Sequence, residues 1–310
     1  MSSVEKIRTI KEIPKEELLA SGHRLCAGCG VPVLIKMLLK AIPGPKVIVN
    51  ATGCLEVATT IYPYTAWRIP WIHVLFENAA AVAAGIESGF KALARKGKGK
   101  KYTVIAIGGD GATFDIGIQA LSGALERGHD LIYICYDNEA YMNTGIQRSG
   151  ATPLGAATTT SPAGKVIPGK PQYKKSFMDI VVAHGIPYAA TLNPAYIVDM
   201  YNKILKASRI EGPKVFHYFS PCPTGWRSPE NKSIELARLA VQTLVFPLYE
   251  VENGKYRITV MVKKPKPIEE YLKLQGRFRH LFKPENRWII EELQKQVQRN
   301  WERLLKLCNL

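Results

Sequence analysis

The sequence predicts an α/β protein built on a doubly wound, mostly parallel β-sheet. Several short runs of apolar, often β-branched residues have the length of buried strands, for example residues 103–107 and 131–136. Longer segments between such runs carry apolar residues at helical spacing. Strands that alternate with helices are typical of a sheet covered on both faces. With 310 residues, the chain can form one large domain of this class with additions.

Three cysteines lie next to the first predicted helix and strand. Cys26 and Cys29 form a C-x-x-C motif ahead of a predicted helix, and Cys54 lies in the segment that directly follows a predicted strand, residues 46–49. We therefore expect Cys54 in a loop at the carboxyl end of that strand. This arrangement is compatible with either a zinc site or an iron–sulfur cluster, because both bind four thiolates.

The fourth thiolate ligand must come from one of the three other cysteines. Cys135 lies within an apolar run, where a free cysteine acts as a small core residue. Cys308 lies near the end of a charged terminal helix, and no role is expected for it. Cys222 follows a predicted strand, residues 214–219, and shares a sheet edge with Cys54 if both strands are parallel. This placement favours Cys222.

The stretch from residue 102 to residue 147 contains a strand–helix–strand unit with a polar group at each strand end. The first predicted strand runs into a glycine-rich turn that contains Asp110, and the second ends at Asp137 and Asn138. In a parallel sheet, both ends lie at the carboxyl edge, where ligands bind.

Asp110 and Asn138 together suggest a magnesium site. Mg²⁺ usually takes one or two carboxylates and borrows oxygens from a diphosphate, and a glycine-rich turn lets amide groups face a phosphate. For the Gly-Asp-Gly turn alone, an ordinary crossover with a polar turn is the better interpretation. The pair of strand-end residues, followed by Tyr-Met-Asn-Thr-Gly, favours the site.

Farther along, the alternation of strands and helices continues. Predicted strands cover residues 71–76, 187–191 and 214–219, and predicted helices cover residues 79–94, 174–183, 195–208 and 233–244. Residues 148–172 show little periodicity, so we expect a long loop that closes over a ligand or contacts another subunit.

The C-terminal part differs in composition. Asn253-Gly254 between two apolar runs predicts a hairpin, and a basic segment leads to a terminal helix at residues 287–305. We predict two regions. Residues 1–244 form an α/β domain that carries the predicted magnesium and thiolate sites, and residues 245–310 form a hairpin and helical extension that contacts partner subunits.

Charge and hydropathy exclude several classes of protein. No apolar run is long enough to span a bilayer and no signal-like segment follows the charged first residues, so a soluble cytoplasmic protein without membrane contact is expected. The six cysteines do not suggest a disulfide scaffold. The net charge of +16 comes without a nucleic-acid motif, so an acidic protein partner, such as a ferredoxin, or acidic sister subunits fit the charge at least as well as nucleic acid does.

The central motifs resemble a known family. The order Gly-Asp-Gly, one helix and one strand, then Asn resembles the thiamine diphosphate motif. The segments GDGATFDIGIQALSGALERG and YDNEAYMNTGIQ closely resemble the thiamine diphosphate-binding β subunit of pyruvate:ferredoxin oxidoreductases and related 2-oxoacid:ferredoxin oxidoreductases. The similarity runs from HRLCAGCG to KPIEEYLKLQGRFRH.

The resemblance implies a set of site residues. It implies that Mg²⁺ is held by Asp110, Asn138 and the carbonyl of Ala140, and that Asn143 is catalytic, close to the thiazolium ring and the substrate. It places the remaining contacts with thiamine diphosphate on Gly53, Cys54, Gly109, Gly111, Ala112, Tyr141 and Met142. It implies that a 4Fe–4S cluster is bound by Cys26, Cys29, Cys54 and Cys222.

The resemblance also implies an activity and partners. The family oxidatively decarboxylates a 2-oxoacid, forms acyl-coenzyme A and passes electrons through the cluster to ferredoxin; pyruvate is the expected substrate, and oxalate and a branched 2-oxoacid are alternatives. Subunits of α, γ or δ type are implied to supply the activating glutamate and most substrate contacts. Two other classes stay open, a non-redox thiamine diphosphate lyase or transketolase-like half and a zinc-stabilised interaction subunit.

Overall fold

One eight-stranded sheet forms the centre of the protein. The computed structural model describes residues 6–100 and 102–310, so the expectation drawn from the first charged residues falls partly outside the described chain. The strands are β1 (Lys46–Ala51), β2 (Trp71–Val74), β3 (Thr103–Gly109), β4 (Leu131–Asp137), β5 (Tyr188–Leu192), β6 (Lys214–Phe219), β7 (Leu248–Glu252) and β8 (Lys255–Val260). Their spatial order is β2-β1-β3-β4-β6-β5-β7-β8. The first six are parallel, and β7 and β8 are added antiparallel at one edge.

Helices cover both faces of this sheet. They are α1 (Val31–Ala41), α2 (Cys54–Thr59), α3 (Ala79–Arg95), α4 (Ile118–Glu126), α5 (Phe177–Val182), α6 (Ile197–Ala207), α7 (Pro223–Trp226), α8 (Ser233–Gln242), α9 (Ile268–Lys273) and α10 (Arg287–Leu307). One apolar core lies between the sheet and α1 with α6, and a second lies between the sheet and α3 with α4 and α5. The central strands are buried along their whole length, which explains their continuous apolar runs. The predicted doubly wound α/β class is therefore confirmed.

Some local expectations were wrong. Cys54 does not lie in a loop but is the first residue of α2, which starts immediately after the Gly53 turn. The helical spacing of Phe114, Ile118, Leu121 and Leu125 predicts that the helix after β3 includes Phe114, but α4 starts at Ile118. Residues 111–115 form a wider helical turn instead, in which the Thr113 hydroxyl donates to the Gly109 carbonyl (2.7 Å). The strand predicted at residues 71–76 ends at Val74.

The C-terminal segment builds a third apolar core. This core joins α8, α9 and α10 to Phe219 and Trp226 near the end of β6. Because β7 pairs with β5, the predicted hairpin continues the main sheet. The division of the chain at residue 244 stays a prediction. None of the helices in the described part of the chain is long and apolar enough to cross a bilayer.

Glu250 of β7 links the antiparallel β7–β8 hairpin to the rest of the sheet. From its contacts we expect the stability of the fold to depend on pH. Its buried carboxylate accepts hydrogen bonds from the Tyr188 hydroxyl (2.7 Å), Lys206 (2.9 Å) and Arg257 (2.6 Å). Burial alone would raise the pKa of Glu250, but these three donors lower it from 4.5 to about 2. A carboxyl group with a lowered pKa stabilises the fold above its unfolded pKa, and this contribution is lost as the pH falls from about 4.5 toward about 2.

We therefore expect Glu250→Gln to remove part of the acid sensitivity. Between pH 6 and pH 3, the wild type should lose about 2 kcal/mol more unfolding free energy than the variant, as measured by urea unfolding. Equal losses in the two proteins would contradict this assignment.

Candidate active site

Four neighbouring strands of the sheet end at the same edge, and each is followed by a residue singled out in the sequence. The strands β1, β3, β4 and β6 lie side by side and run parallel. Cys54 follows β1, Asp110 follows β3, Asn138 follows β4 and Cys222 follows β6. The sheet topology alone thus brings the predicted oxygen ligands and two predicted thiolates to one edge.

A cleft opens at this edge, and all the residues that the resemblance assigns to the cofactor line it. These are Gly53, Cys54, Gly109, Asp110, Gly111, Ala112, Asn138, Ala140, Tyr141, Met142 and Asn143. The sequence reasoning missed four further lining residues, Thr52, Phe76, Tyr136 and Thr144. Each of the four directly precedes a glycine or an acid in the sequence, Gly53, Glu77, Asp137 and Gly145 in turn, and that adjacency is the local signal that could have pointed to them.

Three polar groups meet at the floor of the cleft. The side-chain amide of Asn138 places one atom 2.9 Å from both Asp110 Oδ1 and the carbonyl oxygen of Ala140. If that atom is nitrogen, it donates two hydrogen bonds; if it is oxygen, three oxygens face one another. An octahedral Mg²⁺ site with bonds of about 2.1 Å places neighbouring oxygens about 3 Å apart. The donor set therefore fits Mg²⁺ in both chemistry and spacing.

The surroundings of Asp110 favour a bound cation. Asp110 is only 1% exposed, and the Ser149 hydroxyl donates to its Oδ2 (2.5 Å). Burial, and then the neighbouring Asp137 carboxylate, raises the pKa of Asp110 well above its usual value. A divalent cation at this position would displace the proton and stabilise the charged form. Ser149 lies in the non-periodic loop and is fully buried.

Behind the cleft floor lies a group of buried ionisable residues, which we call the charge cluster: Asp137, Glu139, Lys174, His217 and Arg277. Lys174 Nζ lies 2.5 Å from Asp137 Oδ2 and 2.9 Å from Glu139 Oε1, and His217 Nε2 lies 2.7 Å from Asp137 Oδ2. Arg277 pairs with the other oxygen of Glu139. Burial opposes ionisation of Asp137, but Lys174 and then His217 keep its pKa below the usual value.

Only part of the charge cluster has a signal in the sequence. Asp137 and Glu139 flank Asn138 directly, so two acids beside a predicted ligand could have been noticed. Lys174 and Arg277 come from distant segments, and only the fold brings them together.

Two glycines allow close packing around the cleft. A side chain at Gly111 would collide with the ring of Tyr141, whose hydroxyl donates to the Gly111 carbonyl (3.2 Å). A Cβ atom at Gly53 would lie 2.5 Å from the hydroxyl of Tyr136. Both glycines therefore keep the backbone close to the aromatic side chains that shape the cleft.

The C-x-x-C motif packs against the loop that carries Cys222. The Gly30 amide donates to the Pro221 carbonyl (3.1 Å), and a Cβ atom at Gly30 would lie 2.8 Å from the Pro221 ring. Burial raises the pKa of the Cys29 thiol to about 12, and the Cys222, Cys54 and Cys26 thiols contribute in the same direction. The four thiols thus lie within electrostatic range of one another.

Among residues 6–100 and 102–310, no three His, Cys, Asp or Glu side chains are grouped closely enough to hold a single metal ion. Cys135 is fully buried inside β4, as its apolar surroundings predicted, and Cys308 lies at the end of α10.

Cys54 is the one thiol that also lines the cleft. Burial raises the pKa of Cys54 to about 12, and a hydrogen bond from the Asn143 side chain acts in the opposite direction. Asn143 itself is exposed to the cleft. The Cys54–Asn143 hydrogen bond therefore joins the group of four thiols to the residues that are predicted to bind the cofactor.

The parallel sheet, the edge site and the Asp110/Asn138 pair define a class of protein, the thiamine diphosphate enzymes. The family model described as "Thiamine pyrophosphate enzyme, C-terminal TPP binding domain" matches residues 51–218, which include both residues. The fold is similar to that of a solved 2-oxoglutarate:ferredoxin oxidoreductase from Magnetococcus marinus, with a TM-score of 0.52, 22% identity and coverage of 73% of this chain and 78% of that chain.

Closer relatives narrow the class. The chain is 58% identical to pyruvate synthase subunit PorB of Methanocaldococcus jannaschii, over 93% of this chain and 96% of that protein. It is 50% identical to ketoisovalerate oxidoreductase subunit VorB of Pyrococcus horikoshii, over 100% of this chain and 99% of that protein. The chain belongs to the family of thiamine diphosphate-binding β subunits of 2-oxoacid:ferredoxin oxidoreductases.

Proposed function

We propose that this chain is the catalytic subunit of a pyruvate:ferredoxin oxidoreductase, binds thiamine diphosphate, Mg²⁺ and a 4Fe–4S cluster, and acts only within a complex. The complex converts pyruvate and coenzyme A to acetyl-coenzyme A and CO₂ and reduces ferredoxin. One observation carries this proposal: Cys54 belongs to the group of four thiols and also lines the cofactor cleft beside Asn143. A lyase or transketolase-like enzyme has no use for such a contact.

The residues of the cleft can hold the cofactor in the expected way. Asp110, Asn138 and the Ala140 carbonyl would bind Mg²⁺, because their spacing suits octahedral coordination. The turn at Gly109 and Gly111 would face the diphosphate. When bound, thiamine diphosphate supplies a carbanion at its thiazolium ring and accepts electrons after decarboxylation. The exposed amide of Asn143 would donate to the substrate oxygen on which charge develops.

By number alone, the four thiols suit either a 4Fe–4S cluster or a zinc ion. A cluster has a task beside a thiamine diphosphate cleft, because it carries electrons and zinc does not. Because burial keeps Cys29 and Cys54 protonated, insertion of iron would release protons from them.

We expect loop thiols and core thiols to differ sharply in their effect on iron content. Cys222→Ser should lower the iron content of the purified complex as severely as Cys26→Ser, because both side chains belong to the thiol group. The matched control, Cys135→Ser, should leave iron near the wild-type level, because Cys135 is buried within β4. Iron analysis with visible absorption measures this. Loss of iron in Cys135→Ser with retention in Cys222→Ser would refute the ligand set.

Partner subunits would complete the site. Asp110 is the only carboxylate among the described residues that line the cleft, so the glutamate that activates the cofactor would come from another subunit. Exposed apolar side chains on and near the edge strand β2, Ile72 and Leu75 among them, are suited to a subunit contact close to Phe76 of the cleft. The net charge of +16 favours docking of an acidic ferredoxin.

A branched 2-oxoacid is the second candidate substrate, because one similar relative is named a ketoisovalerate oxidoreductase subunit. The purified complex should be assayed with pyruvate, 3-methyl-2-oxobutanoate and oxalate, with coenzyme A and ferredoxin present. The proposal predicts the highest kcat/KM with pyruvate. A higher kcat/KM with another 2-oxoacid would reassign the substrate, and CO₂ release without ferredoxin reduction would overturn the redox function.

A further inference from the structure

We propose that Arg277 is a positioning residue for the magnesium site, an inference that rests on the proposed function and deepens it. Arg277 comes from the C-terminal segment and does not line the cleft. It contacts the turn Asn138–Ala140 from behind, on the side away from the cofactor. Through this contact the C-terminal segment would set the geometry of two of the three oxygens that hold the metal.

The turn needs such support because of its backbone conformation. Glu139 lies between the two proposed ligands Asn138 and Ala140 and has a φ of +68°, in the left-handed region that few residues other than glycine adopt. The surrounding structure must hold a residue in that conformation. Here the Glu139 amide donates to Asp137 Oδ1 (3.0 Å), and the Glu139 carbonyl accepts from the Thr152 hydroxyl (2.7 Å).

The side chain of Glu139 anchors the turn to two cations. This side chain is 2% exposed and does not line the cleft. It lines a separate cavity, together with Lys174 and His217 of the charge cluster. One oxygen accepts from Lys174 (2.9 Å) and the other from Arg277. The loss of Arg277 would leave a buried carboxylate with one of its two partners, and the turn would be free to relax.

Arg277 reaches the turn by a second route. Its guanidinium group stacks on the ring of Trp226, 4.2 Å from the ring centre, and the Trp226 indole donates to the Asn138 carbonyl (2.8 Å). Trp226 ends α7, which begins directly after Cys222. Arg277 therefore touches both the support of the metal-binding turn and the loop of a predicted cluster ligand.

The geometry of Arg277 is specific to arginine. The side chain is 2% exposed, and Nε and Nη2 both donate to Gln275 Oε1 (2.9 and 2.7 Å) while Nη2 also pairs with Glu139. A lysine would keep the positive charge but would lose the planar fork and the stacking on Trp226. Arg277→Lys is therefore a mild change that tests position instead of charge.

The experiment uses the whole complex, freed of thiamine diphosphate and Mg²⁺, with Mn²⁺ as the metal probe because it prefers the same oxygen ligands. The Kd for Mn²⁺ in the presence of thiamine diphosphate is measured by electron paramagnetic resonance. We expect Arg277→Lys to raise this Kd about 10- to 100-fold, as for other residues that orient metal ligands, and to change the Mn²⁺ line shape.

Two further variants make the test selective. Glu139→Gln should also raise the Kd, and the double variant should raise it by less than the product of the two single effects, because the two side chains share one contact. Arg303→Lys is the matched control. Arg303 also belongs to the C-terminal segment, and it pairs with Asp179 outside the cleft (2.8 and 2.6 Å). The Kd of this variant for Mn²⁺ should equal that of the wild type.

The outcomes separate this inference from the proposed function. A Kd within twofold of the wild type in Arg277→Lys would overturn the positioning role, and so would an equal increase in Arg303→Lys. If Arg277→Lys does not assemble, an unchanged Kd in Glu139→Gln would overturn it instead. A wild-type complex that binds neither Mn²⁺ nor thiamine diphosphate would overturn the proposed function itself.

Discussion

Asp110→Ala is expected to remove Mg²⁺ and thiamine diphosphate from the complex together while leaving the fold intact. Asp110 supplies the only carboxylate in the described lining of the cleft, and its Oδ1 lies 2.9 Å from the Asn138 side-chain amide. Without this charge, the oxygen trio loses its strongest ligand and the diphosphate loses the cation that neutralises it. The loss of metal affinity should exceed the 10- to 100-fold typical of outer-shell partners.

The fold should tolerate this change because it removes a buried acid that is costly to ionise. Burial raises the pKa of Asp110, so the ionised form of this carboxyl group is costly in the metal-free fold. Circular dichroism and subunit composition should therefore match the wild type. Asp179→Ala, which breaks a surface pair with Arg303, is the control and should keep full cofactor content. Wild-type levels of thiamine diphosphate in Asp110→Ala would show that the site is assigned wrongly.

Asn143→Ala is expected to slow the first chemical steps by about 10²–10³-fold, because it removes a donor to the developing oxyanion. Isotope exchange between CO₂ and the substrate carboxylate, followed without ferredoxin, reports these steps alone. Cys54→Ser should retain part of this exchange, provided that the cofactor stays bound, since its role comes after CO₂ has left.

The reverse order of the two variants would contradict this division of roles. The hydrogen bond between Asn143 and Cys54 makes the comparison demanding, because each variant also changes the surroundings of the other residue. Cofactor content must therefore be measured in both. If Cys54→Ser lost thiamine diphosphate, Cys54 would be needed for the cleft itself.

The fold class could be predicted because its signals are local. Continuous apolar strands such as β3 and β4, separated by an amphipathic helix, specify a buried parallel sheet before any contact is known. The start of α2 at Cys54 and the wide turn after Gly111 could not be predicted in this way. Both depend on close backbone packing against Tyr136 and Tyr141, residues that are distant in sequence.

The same distinction applies to the site. Asp110 and Asn138 follow apolar strands, so the rule that ligands bind at the carboxyl edge was sufficient to pair them. The partners that hold them were not visible, because no local pattern around Ser149, Lys174 or Arg277 links these residues to the two strand ends. The family resemblance indicated which side chains would contact the cofactor. The buried charge cluster that supports these side chains is visible only in the structure.

The central claim is that cofactor chemistry and electron transfer meet in this one chain, through Cys54. Rapid mixing of the anaerobic, oxidised complex with pyruvate, without ferredoxin, tests it most directly, with the visible absorption of the cluster as the readout. We predict that the absorption bleaches in the wild type within the time of one turnover, and that Asn143→Ala slows the bleaching by about 10²–10³-fold. A cluster that stays oxidised in a wild-type complex that releases CO₂ would contradict the account.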